Sequence, residues 1–258
     1  MLALPMPLGL LLAALCVVFA AGIVRGFAGF GFSALCVAGL SLFMPPAEAV
    51  PPIFVLEVLA SLTLLRSAWK DVDWSWLSWL VLGNALCIPL GVALLAYVDE
   101  TPLRLLIGAL LLLAATLLRS GWKLALEPTR GVRLTTGLVS GFVNGVAAIG
   151  GIAVAVLLSS TALAPAAMRA TMILLFLFTD LYALAWAALL PGQAGQDLLG
   201  ARTLQLALWL TPAMLVGIWV GQRRFVGVSP EAFRRHVLSL LMLIAGLSVL
   251  RALLSLLG

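Results

Sequence analysis

Stretches without a single charged side chain dominate this chain, at 1–24, 27–47, 74–98, 134–168 and 203–222. Each reaches the roughly 20 residues that carry a helix across a bilayer core. The run at 134–168 is too long for one crossing. As a single helix rising about 1.5 Å per residue it would measure roughly 50 Å, nearly twice the hydrocarbon thickness, so it breaks. Gly145, Gly150 and Gly151 mark the expected place. Bounding the apolar runs by charge, Gly and Pro predicts five helical segments per half. They fall at about 7–24, 27–43, 47–66, 75–97 and 102–118, then at about 132–144, 147–163, 166–190, 203–222 and 233–254.

The connections between segments set the orientation. If the chain changes side at every segment, twelve of the fifteen Lys and Arg residues share one face, and only Arg104, Arg202 and Arg251 fall on the other. The positive-inside rule assigns the crowded face to the cytoplasm and leaves both termini outside. Composition points the same way, with 64% apolar residues, 10% charged residues and a mean hydropathy of +1.20. The expectation is an all-α polytopic protein, multi-pass and surrounded by lipid. The first segment does not read as a cleaved leader, because no Lys or Arg precedes Arg25 and the apolar run is too long. The basic residues are spread along the chain, which argues for topology and against nucleic acid. Cys16, Cys36 and Cys87 lack metal or redox spacing and read as packing residues. No metal, cofactor or catalytic residue is expected.

A repeat divides the chain. The segment Gly22-Ile23-Val24-Arg25-Gly26-Phe27-Ala28-Gly29-Phe30-Gly31 returns 119 residues later as Gly141-Phe142-Val143-Asn144-Gly145-Val146-Ala147-Ala148-Ile149-Gly150. At the same offset Pro46-Ala47 matches Pro165-Ala166, and Ser41 matches Ser160. After an insertion placed in the polar stretch 191–202, Gly91 and Arg104 match Gly221 and Arg234 at an offset of 130. Five segments per half is an odd number, so the second half enters from the opposite side, as an inverted-topology repeat. The division is 1–120 for the first membrane repeat, 121–131 for a basic cytoplasmic linker and 132–258 for the second repeat.

The paired glycine-rich segments, with the turns Pro45-Pro46-Ala47-Glu48-Ala49 and Ala164-Pro165-Ala166-Ala167 that follow them, resemble the TauE/SafE (TSUP) family of membrane permeases. The resemblance covers nearly the whole chain. It implies a permease of a prokaryotic-type inner membrane that carries small anions such as sulfite, organosulfonates or small carboxylates. It also implies fewer spans than ten full segments would give, which fits if the first two segments of each half form a short or broken hairpin.

Such hairpins are also legible from the residues, because only Arg25-Gly26 and Asn144-Gly145 separate the paired segments. Hairpins reaching part way from each side would bring their tips together near the midplane. Second helices starting at Gly26 and Gly145 would then point free N–H groups and their positive dipole ends at one place. The substrate site expected there comprises Arg25, Gly26, Gly29 and Gly31 from one copy and Asn144, Gly145, Gly150 and Gly151 from the other. Arg25 is its fixed cation and Asn144 a neutral donor. Two plainer readings compete: Arg25 as a cytoplasmic loop cation, and the glycines spaced by four as helix-packing positions.

Glu57 and Asp180 lie deep in apolar segments, where a charge costs roughly 2.5–3.5 kcal/mol or more at the bilayer centre. Each is either a carrier of a coupling proton or half of a structural pair with an Arg or a hydroxyl. They are not repeat equivalents, since Glu57 aligns with Phe176 and Asp180 with Ser61. The function expected is a secondary transporter working by alternating access at a midplane site, coupled to a proton or sodium ion. An anion channel is the nearest alternative. An intramembrane enzyme would find only His236 as a histidine, no His/Cys cluster and no second buried Asp.

Overall fold

The computed structural model describes residues 4–120, 129–159, 161, 163–190, 197–224 and 230–257. All regular elements among them are helical: α1 (Leu8–Ala28), α2 (Phe32–Leu40), α3 (Pro46–Ala68), α4 (Trp74–Tyr97), α5 (Glu100–Ser120), α6 (Arg130–Ala147), α7 (Gly151–Ser159), α8 (Pro165–Leu189), α9 (Ala201–Arg224) and α10 (Pro230–Leu257). A single 3-10 turn, Trp69–Asp71, extends α3. Among the described residues, six helices are long and apolar enough to cross a membrane: α1, α3 with its 3-10 turn, α4, α5, α8 and α9. The chain is a multi-pass membrane protein.

Local chemistry sets the helix ends. Pro46 and Pro165 open α3 and α8, where a missing N–H costs nothing and the fixed φ already suits the helix. Asp73 caps α4 by accepting the N–H groups of Ser75 and Trp76 at 3.0 and 3.1 Å. Glu48 lies in the first turn of α3, as the dipole favours, and pairs with Arg202 at 3.6 Å. Trp69 and Trp74 are more than half exposed and meet edge to face, consistent with anchoring at an interface. Trp76 is instead buried beneath the Arg133 guanidinium.

The long run at 134–168 does break, at 148–150 between α6 and α7, and again before Pro165. Gly150 and Gly151 stand at the first break, but Gly145 lies inside α6. In the first half the corresponding break is at 29–31, so Gly26 lies inside α1. The second helices therefore start at Phe32 and Gly151, and not at Gly26 and Gly145. At nine residues each, α2 and α7 measure about 14 Å, less than half of the roughly 30 Å hydrocarbon layer. Neither crosses the bilayer.

Gly26 and Gly145 serve helix packing. A Cβ on Gly26 would fall 2.2 Å from the Ile218 carbonyl oxygen of α9, and one on Gly145 would fall 2.5 Å from that of Ile88 in α4. These two seams are the closest backbone approaches that hold the bundle together, α1 on α9 and α6 on α4. In addition α3 packs on α8 and α5 on α10, so each of the four longer helices of one half finds its main partner in the other half, while α2 and α7 lie against α1 and α6 of their own halves. Position 160, most of the 121–131 linker and residues 191–196 of the insertion lie outside the described residues. So do the side chains of Arg234 and His236.

Candidate functional site

The helix before each break ends on a left-handed residue, and in the first break Gly31, at φ +89°, is left-handed as well. Gly29, at φ +82°, ends α1 with its N–H donating to the Arg25 carbonyl at 2.8 Å. Ala148, at φ +57°, ends α6 in the same way, donating to the Asn144 carbonyl at 2.7 Å. Arg25 and Asn144 thus hold the same place, one turn before the break, and their side chains fasten the tips that follow. Arg25 Nη1 donates to the Gly29 carbonyl at 2.9 Å. The Gly150 N–H donates to Asn144 Oδ1 at 3.3 Å.

The same two side chains reach 36 residues ahead. Arg25 Nη2 donates to Ser61 Oγ of α3 at 2.9 Å, and Asn144 Nδ2 donates to Asp180 Oδ1 of α8 at 2.9 Å. Glu57 completes the first cluster. Its Oε2 lies 3.2 Å from Arg25 Nη2, while its Oε1 accepts from the Ser33 N–H at 3.3 Å and the Ser33 hydroxyl at 2.9 Å. Ser33 is the second residue of α2. The Glu57 carboxylate therefore occupies the N-terminus of a helix, where free N–H groups and the dipole favour an anion.

At the position matching Glu57, Phe176 lays its ring over the same guanidinium, 4.6 Å from Arg25 Cζ. It also covers the start of α7, where a Cβ on Gly151 would fall 2.1 Å from the ring. Only one of the two short helices consequently presents its N-terminus to the charged cluster. The spacing behind this arrangement is shared. Val50, Phe54, Glu57 and Ser61 line one face of α3, and Arg169, Ile173, Phe176 and Asp180 line one face of α8.

The cluster is dry. Arg25 is 0% exposed, Glu57 and Asp180 1%, and Asn144 2%. Taking an ion out of water costs several kcal/mol, which Arg25 and Glu57 offset by pairing with each other. The offset is incomplete, because Arg25 Nε and Glu57 Oε2 have no hydrogen-bond partner among the described residues. A buried cation that an internal carboxylate satisfies only in part can accept a different anion.

A model of the family described as sulfite exporter TauE/SafE matches residues 14–248. The chain belongs to the TauE/SafE family. No curated protein and no solved structure matches it. The TauE/SafE family is a membrane transporter family, so the small partner such a chain handles is an anion and its surroundings are lipid.

Within this TauE/SafE chain the structure brings Arg25, Glu57, Asn144 and Asp180 to one buried region. Gly29 and Gly31 form the first turn and Gly150 and Gly151 the second. Burial removes the reading of Arg25 as a loop cation. Gly26 and Gly145 are the exceptions, for the packing reason given above. Sequence reading passed over Ser33, Ser61 and Phe176 as polar or aromatic contributors. The signal for the last two was the repeat itself, which sets Ser61 opposite Asp180 and Phe176 opposite Glu57.

Proposed function

We propose that the protein is a secondary permease for a small anion, such as sulfite, an organosulfonate or a small carboxylate, and that Arg25 with the N-terminus of α2 is where that anion binds. One observation carries this reading: Glu57 occupies a place built for an anion, held at once by a buried arginine and by a helix start. Glu57 then acts as a resident substitute for the substrate. When the anion takes Arg25, Glu57 accepts a proton and withdraws, so that the buried region never holds an unpaired charge. Asp180, hydrogen-bonded to Asn144, is the second proton-carrying candidate.

The halves 1–120 and 132–258, joined by the basic segment 121–131, act as inverted repeats that expose this site alternately to the two sides. Three observations support the inversion: the charge asymmetry of the connections, the matched breaks at Gly29 and Ala148, and the pairing of each longer helix with a partner from the other half. In this orientation the basic face is cytoplasmic and both termini are outside.

Purified protein in liposomes, assayed with labelled sulfite, sulfoacetate, taurine and lactate, tests the proposal. Saturable flux and exchange with unlabelled substrate on the far side are expected for at least one of these anions, and both are lost in Arg25→Gln. Wild-type flux in Arg25→Gln would remove Arg25 from the site. Flux that rises linearly with concentration and does not exchange would make the protein a channel.

A further inference from the structure

A cavity of about 540 Å³ opens between α1, α3, α8 and α9, at the end of the bundle that carries Asp71. Its floor includes Gly26 and Ile173, both buried, and its mouth includes Ser67, Asp71 and Gln222, all exposed. Arg169 projects into it from the first turns of α8. The Arg169 side chain lies directly against Gly29, with its Cγ 2.8 Å from the place a Cβ on Gly29 would take. The carbonyl of the same Gly29 accepts from Arg25. Both arginines therefore touch one glycine, near enough for like charges to repel. Arg25 has Glu57 to balance it, whereas Arg169 makes no ion pair among the described residues.

The repeat makes this asymmetry informative. The position matching Arg169 is Val50, fully buried. At the opposite end of the bundle a second cavity, about 310 Å³, is lined by Glu48, Glu100 and Asp197, with Arg202 already paired to Glu48. Glu100 is likewise paired, to Arg104, so among the described residues this second mouth offers no guanidinium free of an ion pair, whereas the first offers Arg169 beside a single acid, Asp71.

We infer that the Arg169 cleft is a separate loading site for the anion, engaged before Arg25, and that it makes the permease bind its substrate tightly from the Arg169 side and weakly from the other. The inference rests on the proposed anion site at Arg25. Its ligand is a compact oxyanion head, sulfonate or carboxylate, received by the guanidinium, with a short apolar stem against Ile173. Placed between the two arginines, an anion relieves their repulsion, and the α8 face from Arg169 through Ile173 and Phe176 leads it to the buried cluster. From the other mouth the same anion meets Glu48, Glu100 and Asp197, with the nearby guanidiniums of Arg104 and Arg202 already engaged.

Right-side-out and inverted membrane vesicles containing the full chain, assayed with labelled ethanesulfonate, separate the possibilities. In Arg169→Gln the half-saturating concentration should rise at least tenfold from the Arg169 side and change less than twofold from the other, and Arg169→Lys should keep most of the difference. The unchanged side is the internal control for folding. Equal shifts on both sides, or none, would overturn the loading site, as would an Arg169→Lys protein as impaired as Arg169→Gln. If Arg25→Gln transports normally while Arg169→Gln shows the sided shift, the reading of Arg25 fails and the loading site stands.

Discussion

Replacing Glu57 with Gln isolates the competition proposed at the centre of the site. The amide keeps an oxygen for the Ser33 hydroxyl and N–H and fills nearly the same volume, but it removes the negative charge 3.2 Å from Arg25 Nη2. At an effective dielectric constant near 20, two unit charges at that distance attract by about 5 kcal/mol. Losing one partner of a buried pair typically destabilises by about 3–5 kcal/mol. The remaining contacts of Arg25, to Ser61, Gly29 and the Phe176 ring, do not replace a carboxylate. A monovalent anion binding to Glu57→Gln has no resident to displace. Allowing for its own desolvation, it should recover about 2 kcal/mol of that deficit, or roughly a thirtyfold tighter dissociation constant.

Transport should move the other way. A carrier whose Arg25 has no counterion when empty cannot return without substrate, so exchange of labelled for unlabelled anion should persist while net uptake falls to the background. The assay is ethanesulfonate binding by calorimetry, paired with exchange and net flux in proteoliposomes. Ethanesulfonate keeps a constant charge over the working pH range, so binding that tightens as pH falls in wild type and stays flat in Glu57→Gln assigns the proton to the protein. Affinity within twofold of wild type together with undiminished net flux would refute the competition.

The packing seams make a second prediction: Gly26→Ala drives a Cβ into the α9 backbone and should lower the melting temperature of purified protein sharply, whereas Gly9→Ala, with nothing within 4 Å, should leave it unchanged. Ala148 holds a left-handed conformation that costs an L side chain about 1–2 kcal/mol, so Ala148→Gly should raise thermal stability in detergent without altering anion affinity. Arg104 is buried and bonds the Ser41 and Met44 carbonyls and Glu100, so Arg104→Ala should destabilise by about 3 kcal/mol in urea unfolding while leaving the dissociation constant for ethanesulfonate as it was. Asp180→Asn, which keeps a hydrogen-bond acceptor for Asn144, should fold normally and change the pH dependence of flux; an unaltered profile would exclude Asp180 as a proton carrier.

Helix placement was legible because in a bilayer it depends on two readable quantities, the length of a charge-free run and the charges that end it. Ten segments were expected and ten helices lie at corresponding positions. The turn positions were less legible, since Gly26 and Gly29 are the same letter with different work. Gly26 is small so that α9 can approach, and Gly29 is flexible so that α1 can end. Nothing local distinguishes them, because the partner of Gly26 is nearly 200 residues away in sequence. Ala148 was invisible for a related reason: the second break uses an alanine where the first uses glycine, and the strain is sustained by surrounding contacts. Asp180 and Glu57 were found because carboxylates are rare in apolar runs, but their partners, one arginine and one asparagine, were fixed only by packing.

The cluster also explains why strict symmetry between the two copies would not serve an anion carrier. If both halves carried Arg25-like and Glu57-like residues, two buried ion pairs would meet at one place, and an anion would have two equivalent cations to choose between. In this chain the pairs are redistributed over equivalent positions: arginine with serine in one half, asparagine with aspartate in the other, and glutamate opposite a phenylalanine. One half supplies the cation and its resident carboxylate, while the other supplies the ring that covers the cation and a neutral amide that holds the second acid. A duplicated scaffold can offer two similar conformations, one open to each side, but the exchange of charge between its halves leaves a single buried place where an arginine is held by a resident carboxylate. On the proposed alternating access, the Arg25–Glu57 pair is the element whose state both conformations must share, and a substitution that alters it should change transport from either side of the membrane alike.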